Sequence, residues 1–385
     1  MGAGLKILLV STQDYLHHPI PSRHHYIFEE LAKRHEVHVP HFHVSQGAER
    51  KTRLVVHEAT KYPRGGPLVH YTLNAPTQFR VLEEIVRDCR IDVVVASHVI
   101  AGMAVIRAAR RHRVPVLFDL KDWFPDSAAA YYKNPVLKRV VRDAVWFVTR
   151  YNLDRSDRIS TVSPSLVSQL RSFGYDPALI TNGVDTDRFV PMDGGPMRKE
   201  LGIRDGEFVI GFEGAVERWY SLDRVIDALP GLLVHRPDTR LLVVGGSLFT
   251  GYMDELKARA EALGVLGHII FTGPVRYHDL PRYIAPMDLC LIPLSPPQWV
   301  NIALPNKFFE YSACGKPILS SPIPDVMGIG GPHLSIYRTE AEFSERVIAA
   351  MDRPGTYTLD VERFSWKRKA AEFEEILSGL AASSR

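Results

Sequence analysis

The stretch TNGVDTDRFVPMDGG, residues 181–195, separates two similar patterns of predicted strands and helices. It is rich in Gly, Asp and Pro, which favour turns and loops over regular structure. On both sides of it, short apolar runs alternate with amphipathic segments, as in KILLVS before it and EFVIGFEG after it. Such alternation is typical of βαβ units around a parallel sheet. The sequence therefore predicts an α/β protein with two Rossmann-like, doubly wound domains.

The apolar runs give the number of strands in each predicted domain. Five precede residue 181, namely KILLVS, EVHVPHF, IDVVVASH, PVLFDL and RISTVS. Five follow it, namely EFVIGFEG, TRLLVVGG, HIIFTG, LCLIPL and PILSS. These strands are apolar on both faces, as strands covered by helices on both sides must be. The predicted domains are residues 1–181 and 182–364, and the segment 365–385 is a further helix that follows the second domain.

The composition limits the class of protein. Of the 385 residues, 45% are hydrophobic, which is ample for a globular core, yet no apolar run is long enough to span a bilayer. The amino terminus lacks the pattern of a signal peptide. The three cysteines are far apart, which fits a reducing cytosol and no disulfides. The 16 histidines include the pairs in LHHP and RHH, without convincing metal-ligand spacing. We therefore expect a cytoplasmic protein without a metal or other cofactor.

The charge is unevenly distributed along the chain. Residues 1–180 contain 25 Lys and Arg against 17 Asp and Glu, a net charge of +8. The remaining residues contain 22 against 27, a net charge of −5. A basic half suggests an anionic partner for the first domain. Because no nucleic-acid-binding motif is present, an anionic membrane surface or a phosphorylated acceptor is the better interpretation.

One predicted helix, residues 134–152, fits the membrane interpretation. Its sequence is NPVLKRVVRDAVWFVTRYN. Apolar residues at helical spacing form a stripe that is flanked by basic residues, with Trp146 and Phe147 available for an interface. The stripe consists of Leu137, Val141, Ala144, Val145 and Val148, and the basic residues are Lys138, Arg139, Arg142 and Arg150. A helix that packs its stripe on the sheet is the alternative.

The segment ALPNKFFEYSACGKPILSS, residues 303–321, carries two charged residues within a largely apolar helix. Lys307 and Glu310 are three residues apart and so share one helix face. Gly315 and Pro317 end the helix before the strand ILSS. Two interpretations remain open at this point: a surface ion pair, or a ligand site at the carboxyl ends of parallel strands.

Four segments, in this order along the chain, resemble those of glycosyltransferase family 4. These are ISTVSPSLVSQL, ITNGVDTDRF, FEYSACGKPILSS and FSWKRKAAEFEEIL. The resemblance covers nearly the whole chain. It implies the GT-B fold, in which two Rossmann-like domains face a central cleft and the last helix crosses back to the amino-terminal domain.

The resemblance also implies an activity. Such an enzyme moves a hexose-type sugar from a UDP- or GDP-linked donor to an acceptor hydroxyl, with retention at the anomeric carbon and without a metal. The acceptor is expected to be a saccharide or a lipid-linked saccharide in surface-glycan or glycoprotein-glycan assembly. Together with the charge distribution and the basic helix, this predicts a cytoplasmic protein with peripheral contact to the inner face of an anionic membrane and without nucleic-acid binding.

On this resemblance, the donor site lies in the carboxyl-terminal domain. Glu310 is assigned to the ribose hydroxyls, because a carboxylate can accept hydrogen bonds from both of them. Lys307 is assigned to the phosphates, whose charge grows as they leave. The further residues implied at this site are Asn306, Gly214, Arg218 and the backbone of Val275.

The sequence departs from the family pattern in that domain. The glutamate that usually precedes Glu310 by eight residues is replaced by Ile302, with Asn301 beside it. The usual Arg and Lys after Gly214 are replaced by Ala215 and Tyr220. We expect Arg218, in the same loop, to supply the missing charge.

The acceptor site is implied in the amino-terminal domain. Arg23 and His24 begin a helix where relatives have a phosphate-binding loop. Lys121 and Asp122 occupy the positions of a His-Asp pair in relatives, and Asp122 is a candidate to activate the acceptor hydroxyl. His98 ends a strand that points to the same crevice. These residues are the predicted acceptor and catalytic set.

Two other functions remain open on the sequence alone. A sugar epimerase or a phosphorylase can be built on the same fold. The missing charged residues also fit a degenerate subunit that binds a nucleotide and supports an active partner.

Overall fold

The structure is a computed structural model of the chain, and it describes residues 4–18, 20–45, 47–62, 67–130, 132–247, 251–295, 304–352, 355, 357 and 359–383. By internal contacts the chain divides into two units. Unit 1 comprises residues 1–182 and 366–385, and unit 2 comprises residues 183–365.

Unit 1 is built on a sheet of seven parallel strands in the order β3-β2-β1-β4-β5-β6-β7. The strand order reverses between β1 and β4, and ligands of open α/β sheets bind at the carboxyl ends of strands near such a reversal. The strands are β1 (Lys6–Val10), β2 (Glu36–His41), β3 (Val55–Glu58), β4 (Val93–Ala96), β5 (Val116–Leu120), β6 (Arg158–Thr161) and β7 (Ala178–Leu179).

Helices of unit 1 follow the strands as crossover connections. Their apolar faces pack on the sheet, so its central strands are buried on both sides. The helices are α1 (Arg23–Leu31), α2 (Pro67–Asp88), α3 (Val99–Arg111), α4 (Phe124–Ala129), α5 (Pro135–Asp154) and α6 (Pro164–Ser172).

Unit 2 repeats this plan with six parallel strands in the order β10-β9-β8-β11-β12-β13. Here the order reverses between β8 and β11. The strands are β8 (Phe208–Glu213), β9 (Thr239–Val244), β10 (Ile269–Gly273), β11 (Leu289–Ile292), β12 (Ile318–Ser320) and β13 (Leu334–Ile336). The helices are α7 (Gly195–Glu200), α8 (Leu222–His235), α9 (Tyr252–Ala262), α10 (Leu280–Ile284), α11 (Asn306–Ala313), α12 (Pro324–Ile329) and α13 (Glu340–Asp352).

The last helix, α14 (Trp366–Ser383), belongs to unit 1 although it follows unit 2 in the sequence. Phe373 packs edge-on against Phe28 of α1, with ring centroids 5.9 Å apart. Trp366 stacks on Tyr26, with centroids 5.3 Å apart. Burial of these aromatic side chains holds the end of the chain on α1.

The sequence pattern did not predict three of the strands, β3, β7 and β13. β3 and β7 are the edges of the first sheet, and β13 is an edge of the second. They contain two to four residues and are partly exposed, so they lack the long apolar run from which the other strands were predicted.

Candidate functional site

Three charged side chains meet at the carboxyl end of the central strand of unit 2. Glu213 is the last residue of β8, and Lys307 and Glu310 lie on α11. Each of the three is at most 5% exposed. We call these three residues the carboxylate–lysine cluster. It lies beside the reversal of strand order, where an open α/β sheet binds its ligands.

The ammonium group of Lys307 is held by aromatic rings as well as by charge. Its Nζ lies 3.5 Å from the ring centroid of Tyr220 and 4.6 Å from that of Phe212. A Cβ on Gly214 would lie 3.2 Å from the same Nζ, and the φ of +121° at Gly214 also disfavours a side chain. Gly214 therefore leaves room for the lysine head group against the end of β8.

Glu213 and Glu310 are linked to each other and to tyrosines. Tyr277 donates a hydrogen bond of 2.6 Å from its hydroxyl to Oε1 of Glu310. Tyr311 accepts one of 2.9 Å from the backbone N–H of Glu213. Burial, together with the neighbouring carboxylate of Glu213, raises the pKa of Glu310 well above its usual range. Burial also raises the pKa of Glu213, while Lys307 and a hydrogen bond with Glu310 oppose that rise. Glu310 therefore holds a proton more readily than Glu213 does.

The structure places the predicted donor residues in different surroundings. Lys307 and Glu310 belong to the cluster, and Gly214 lies against the head group of Lys307. Val275 is half-buried against the core two residues before Tyr277, and Asn306 is exposed at the start of α11. Sequence reasoning missed Glu213, although a single carboxylate at the end of the apolar strand FVIGFE was a usable signal.

Arg218 contacts residues outside the cluster, and its expected role in supplying the missing charge stays a prediction. Its guanidinium forms an ion pair with Glu255 and lies over the ring of Tyr252, 5.1 Å from the centroid. Both partners are on α9, so the exposed side chain of Arg218 is turned toward that helix. The positions Asn301 and Ile302, where the family's other glutamate is missing, lie outside the described residues.

In unit 1, three predicted residues lie at the carboxyl ends of the adjacent strands β4 and β5. His98 is the N-cap of α3, and its Nδ1 accepts hydrogen bonds of 3.1 Å from the backbone N–H groups of Ile100 and Ala101. Burial lowers the pKa of His98 to about 3, so the ring is neutral at pH 7. A structural role as a helix cap is therefore established by geometry, whereas the catalytic role of His98 stays a prediction.

Lys121 and Asp122 follow β5 directly. Desolvation lowers the pKa of Lys121 to about 8, against the opposing charge of Asp119. Oδ1 of Asp122 accepts hydrogen bonds from the backbone N–H of Trp123 at 2.8 Å and from the hydroxyl of Ser127 at 3.4 Å. These bonds orient the carboxylate of Asp122 at the end of the strand, where an acceptor hydroxyl could reach it.

Arg23 and His24 are buried in the interior of unit 1, and their expected role at an anion site stays a prediction. Nε2 of His24 lies 2.9 Å from Oδ2 of Asp119, and Nδ1 lies 3.0 Å from the hydroxyl of Ser11. Arg23 donates to the carbonyl of Ile180 at 3.0 Å and lies 3.6 Å from Oδ1 of Asp119. Both side chains point into the interior because α1 packs between the sheet and α14.

Asp119 is the centre of this buried network. Burial alone would raise its pKa, but Arg23, the hydrogen bond with His24 and the hydroxyl of Ser160 hold the pKa of Asp119 at about 2. The carboxylate therefore stays ionised at neutral pH. Its role in the fold is to provide a buried partner for the side chains of Arg23, His24 and Ser160.

Unit 1 should lose stability as the pH falls below about 6.5, the usual pKa of histidine. Burial lowers the pKa of His24 to about 4 and those of His25 and His98 to about 3. Below pH 6.5 the unfolded chain therefore takes up protons that the folded chain excludes. Each histidine then removes up to ~1.4 kcal/mol of stability per pH unit. Thermal unfolding between pH 7 and pH 5 measures this loss.

The variant His98→Asn is the matched test of that prediction. Asparagine is a good N-cap, so α3 keeps its cap while one titrating group is removed. The variant should lose stability less steeply with falling pH than the native chain. Identical slopes for the two proteins would contradict the assignment of His98 as a neutral buried group.

Family models match both units of the chain. One described as Glycosyltransferase Family 4 matches residues 24–188, and one described as Glycosyl transferases group 1 matches residues 207–353. The chain belongs to the family 4, group 1 glycosyltransferases. The resemblance seen in the four sequence segments is thereby confirmed. The second match contains all three residues of the carboxylate–lysine cluster.

This glycosyltransferase-family chain spans less than two thirds of the length of the first curated relatives that it matches. A GDP-mannose-dependent alpha-(1-6)-phosphatidylinositol monomannoside mannosyltransferase from Mycolicibacterium smegmatis is 30% identical over 262 residues, which are 63% of this chain and 64% of the relative. A D-inositol 3-phosphate glycosyltransferase from Mycobacterium sp. (strain KMS) is 30% identical over 177 residues, which are 44% of this chain and 38% of the relative.

Solved structures confirm the α/β fold of the GT-B class. Anabaena Alr3699/HepE in complex with UDP and glucose has a TM-score of 0.73 at 19% identity, covering 97% of this chain and 99% of that chain. The sucrose-phosphate synthase of Thermosynechococcus elongatus has a TM-score of 0.77 at 15% identity, covering 98% and 100%. At such identities the likeness concerns the fold alone.

The surface helix α5 is unusual among the helices of unit 1. Val136 is 72% exposed and Phe147 is 69% exposed, and Leu137 and Val140 are exposed as well. Trp146 is half-buried and packs on Phe173, with ring centroids 4.6 Å apart, and its availability for an interface stays a prediction. None of the helices in the described part of the chain combines the length and apolar character that crossing a bilayer needs.

Proposed function

We propose that the chain transfers a hexose-type sugar from a UDP- or GDP-linked donor to an acceptor hydroxyl, with retention and without a metal at the phosphates. The observation that carries this proposal is the carboxylate–lysine cluster at the carboxyl end of β8. It combines a hydrogen-bond acceptor for a ribose, a cation for phosphates and a position beside the reversal of strand order. The relatives named above, whose names specify a GDP-mannose donor or a glycosyltransferase activity, support the same class.

Glu310 is the residue assigned to the ribose. In the free protein the pKa of its carboxyl group is raised by burial and by Glu213, and its Oε1 accepts from Tyr277. Two ribose hydroxyls would favour the ionised form, because an ionised carboxylate can accept several such hydrogen bonds. Binding should therefore release a proton, and nucleotide affinity should rise as the pH rises toward the pKa of Glu310.

Lys307 is the residue assigned to the leaving phosphates. Its positive charge is fixed by Glu213 and by the rings of Tyr220 and Phe212, so little reorganisation is needed when the bond to the sugar breaks. A lysine that neutralises the developing charge takes the place of a divalent cation at this step. The metal independence of the transfer rests on this assignment.

On the acceptor side, we propose that Asp122 accepts the proton of the attacking hydroxyl and that Lys121 attracts an anionic acceptor. Asp122 is oriented by two hydrogen bonds at the end of β5, and Lys121 beside it carries a charge below about pH 8. The acceptor class is a saccharide or a lipid-linked saccharide of surface-glycan or glycoprotein-glycan assembly, in line with the phosphatidylinositol mannoside named for one relative.

Product analysis tests the activity. The purified chain is incubated with UDP- and GDP-linked hexoses, with and without saccharide and lipid-linked acceptors, and nucleotide release and sugar products are measured. We expect acceptor-dependent release of nucleotide that added Mg²⁺ does not increase. An epimerised sugar formed without acceptor would identify an epimerase, and phosphate-dependent release of sugar phosphate would identify a phosphorylase. Nucleotide binding without turnover in the whole panel would identify a partner subunit.

Helix α5 is the proposed contact with an anionic membrane. Its exposed apolar residues lie beside Lys138, Arg139 and Arg142, which are also exposed. Each basic residue near an anionic surface contributes about 1 kcal/mol, and the attraction weakens as salt rises. The chain should therefore float with anionic vesicles at low salt and not with neutral vesicles. The variant Lys138/Arg139/Arg142→Gln should lose most of this binding.

The matched control removes three basic residues from other surfaces of unit 1. Arg53, Arg80 and Arg87 are all more than half exposed and lie outside α5. The variant Arg53/Arg80/Arg87→Gln has the same net charge as the α5 variant and should float like the native chain. An equal loss of flotation in the two variants would show that net charge alone, and not α5, explains the binding. Absence of flotation of the native chain with anionic vesicles would refute the membrane proposal.

A further inference from the structure

Three histidines converge at the carboxyl ends of β1 and β2. His17 lies in the loop after β1, His41 is the last residue of β2, and His43 lies in the loop that follows. One ring nitrogen of each lies within 4.8 Å of those of the other two. We call these residues the histidine cluster. The function proposed above does not use it.

The rings of the histidine cluster face one another closely. Nδ1 of His17 lies 3.0 Å from Nε2 of His41, and the ring centroids of His41 and His43 are 3.6 Å apart. Tetrahedral zinc with bonds of about 2.0–2.1 Å places two nitrogen ligands about 3.4 Å apart. The spacing of the His17 and His41 nitrogens is therefore already close to the one that a single ion requires, and the His43 nitrogen lies within 4.8 Å of both.

Two carboxylates border the cluster. Oε2 of Glu58, at the end of β3, lies 2.9 Å from Nε2 of His43 and 3.5 Å from Nδ1 of His41. Oδ1 of Asp14 lies 3.5 Å from Nε2 of His41 and 3.7 Å from Nδ1 of His17. Carboxylates are ligands of zinc themselves and also orient the histidines that bind it.

The backbone around the cluster is held in place by Asp14. Its Oδ1 accepts from the N–H groups of Leu16 and His17, and its Oδ2 accepts from those of Val44 and Ser45. His43, directly before Val44, has a φ of +45°, which is uncommon for a residue with a side chain. Asp14 therefore fixes both loops that carry cluster histidines and maintains the unusual backbone at His43.

A second group of possible ligands, His38, His57 and Cys89, is less suited to an ion. Both ring nitrogens of His38 are already in hydrogen bonds, one of 2.8 Å with His57 and one of 2.8 Å with Glu36. The histidine cluster differs in having Glu58, which is more than half exposed and able to turn toward an ion, and in being partly open to solvent.

We propose that His17, His41 and His43 bind one divalent transition-metal ion of the zinc class, with the carboxylate of Glu58 as the fourth ligand. Asp14 then holds the two loops that carry His17 and His43 through its hydrogen bonds to their backbone, and it is not needed as a ligand. The ion connects the ends of three neighbouring strands, β1, β2 and β3, within unit 1. The proposal is independent of the donor site, because no residue of the carboxylate–lysine cluster takes part.

The test measures metal binding directly. The full chain is prepared without a polyhistidine tag, stripped with EDTA and dialysed, and Zn²⁺ is then titrated against a competing chelator. We expect one equivalent to bind tightly, to raise the melting temperature and, when Co²⁺ is used, to give the absorption of a tetrahedral site. The variants His17→Gln and His43→Gln, at partly exposed positions that tolerate the change, should each weaken binding by at least about 10- to 100-fold.

The variant His57→Gln is the matched control, because it removes a histidine of the second group. It should bind Zn²⁺ like the native chain. Absence of binding at micromolar Zn²⁺ would overturn the proposal. Native affinity in both His17→Gln and His43→Gln, or loss of binding in His57→Gln alone, would overturn it as well. None of these readouts depends on sugar transfer, so failure here is distinct from failure of the proposed function.

Discussion

Replacing Glu310 with glutamine should weaken nucleotide binding by about 1.5–3 kcal/mol, roughly 10- to 150-fold, and leave the fold intact. The physical reason is that an amide offers the ribose hydroxyls one weaker acceptor in place of a charged carboxylate. The fold is preserved because glutamine is isosteric and its amide oxygen can still accept from Tyr277. Calorimetry with UDP and GDP measures the loss, and circular dichroism checks the fold.

The variant Glu213→Gln is the matched control for this prediction. It makes the same substitution one hydrogen bond away, and the amide oxygen of a glutamine there can still accept the hydrogen bond from Glu310. Nucleotide affinity should therefore fall much less than in Glu310→Gln. Unchanged affinity in Glu310→Gln, or an equal loss in both variants, would refute the assignment of Glu310 to the ribose.

Replacing Lys307 with methionine should destabilise unit 2 by about 3–5 kcal/mol at neutral pH and abolish transfer. Methionine has a similar volume, so the main effect is to leave the buried carboxyl pair of Glu213 and Glu310 without its cation. The remaining charge can be removed by protonation. The destabilisation should therefore be smaller at pH 5.5 than at pH 7.5, as measured by urea unfolding at both values.

Lys257 provides the control for Lys307. It is exposed, and its Nζ also lies over an aromatic ring, 5.9 Å from the centroid of Phe271. Lys257→Met should cost no more than about 1 kcal/mol, the contribution of an exposed cation–π contact, and should retain transfer activity. If Lys307→Met were as stable as Lys257→Met at pH 7.5, the lysine would not be the compensating charge of the buried pair.

The alternation of strands and helices was predictable because it depends on local apolar pattern. The interior strands are buried on both faces and show as continuous apolar runs, and these runs were sufficient to place the strands in two parallel sheets. The edge strands β3, β7 and β13 escaped prediction because they bury little apolar surface. Their pairing depends on the neighbouring strand, which lies elsewhere in the sequence.

The candidate site was predictable only where its residues are neighbours in sequence. Lys307 and Glu310 lie on one turn of α11, and helix geometry alone puts them on one face. Glu213 is almost a hundred positions earlier, and it joins them because β8 is hydrogen-bonded next to β11 in the sheet. The orientations of the side chains of Arg23, His24 and Arg218 depend on partners that are distant in sequence. Arg23 and His24 contact Asp119, and Arg218 contacts Glu255.

The sequence by itself determined the two α/β units, the helix that carries Lys307 and Glu310, and the resemblance to glycosyltransferase family 4. The two units and the helix follow from the spacing of apolar residues along the chain, and the resemblance follows from four short sequence segments. Both are local properties of the sequence. Only the tertiary structure decided which distant side chains lie together, as in Glu213 beside Lys307 and Glu310 and in the convergence of His17, His41 and His43. Such groupings arise because parallel strands bring distant residues to one edge of a sheet, and because burial then sets which of them keep their charge.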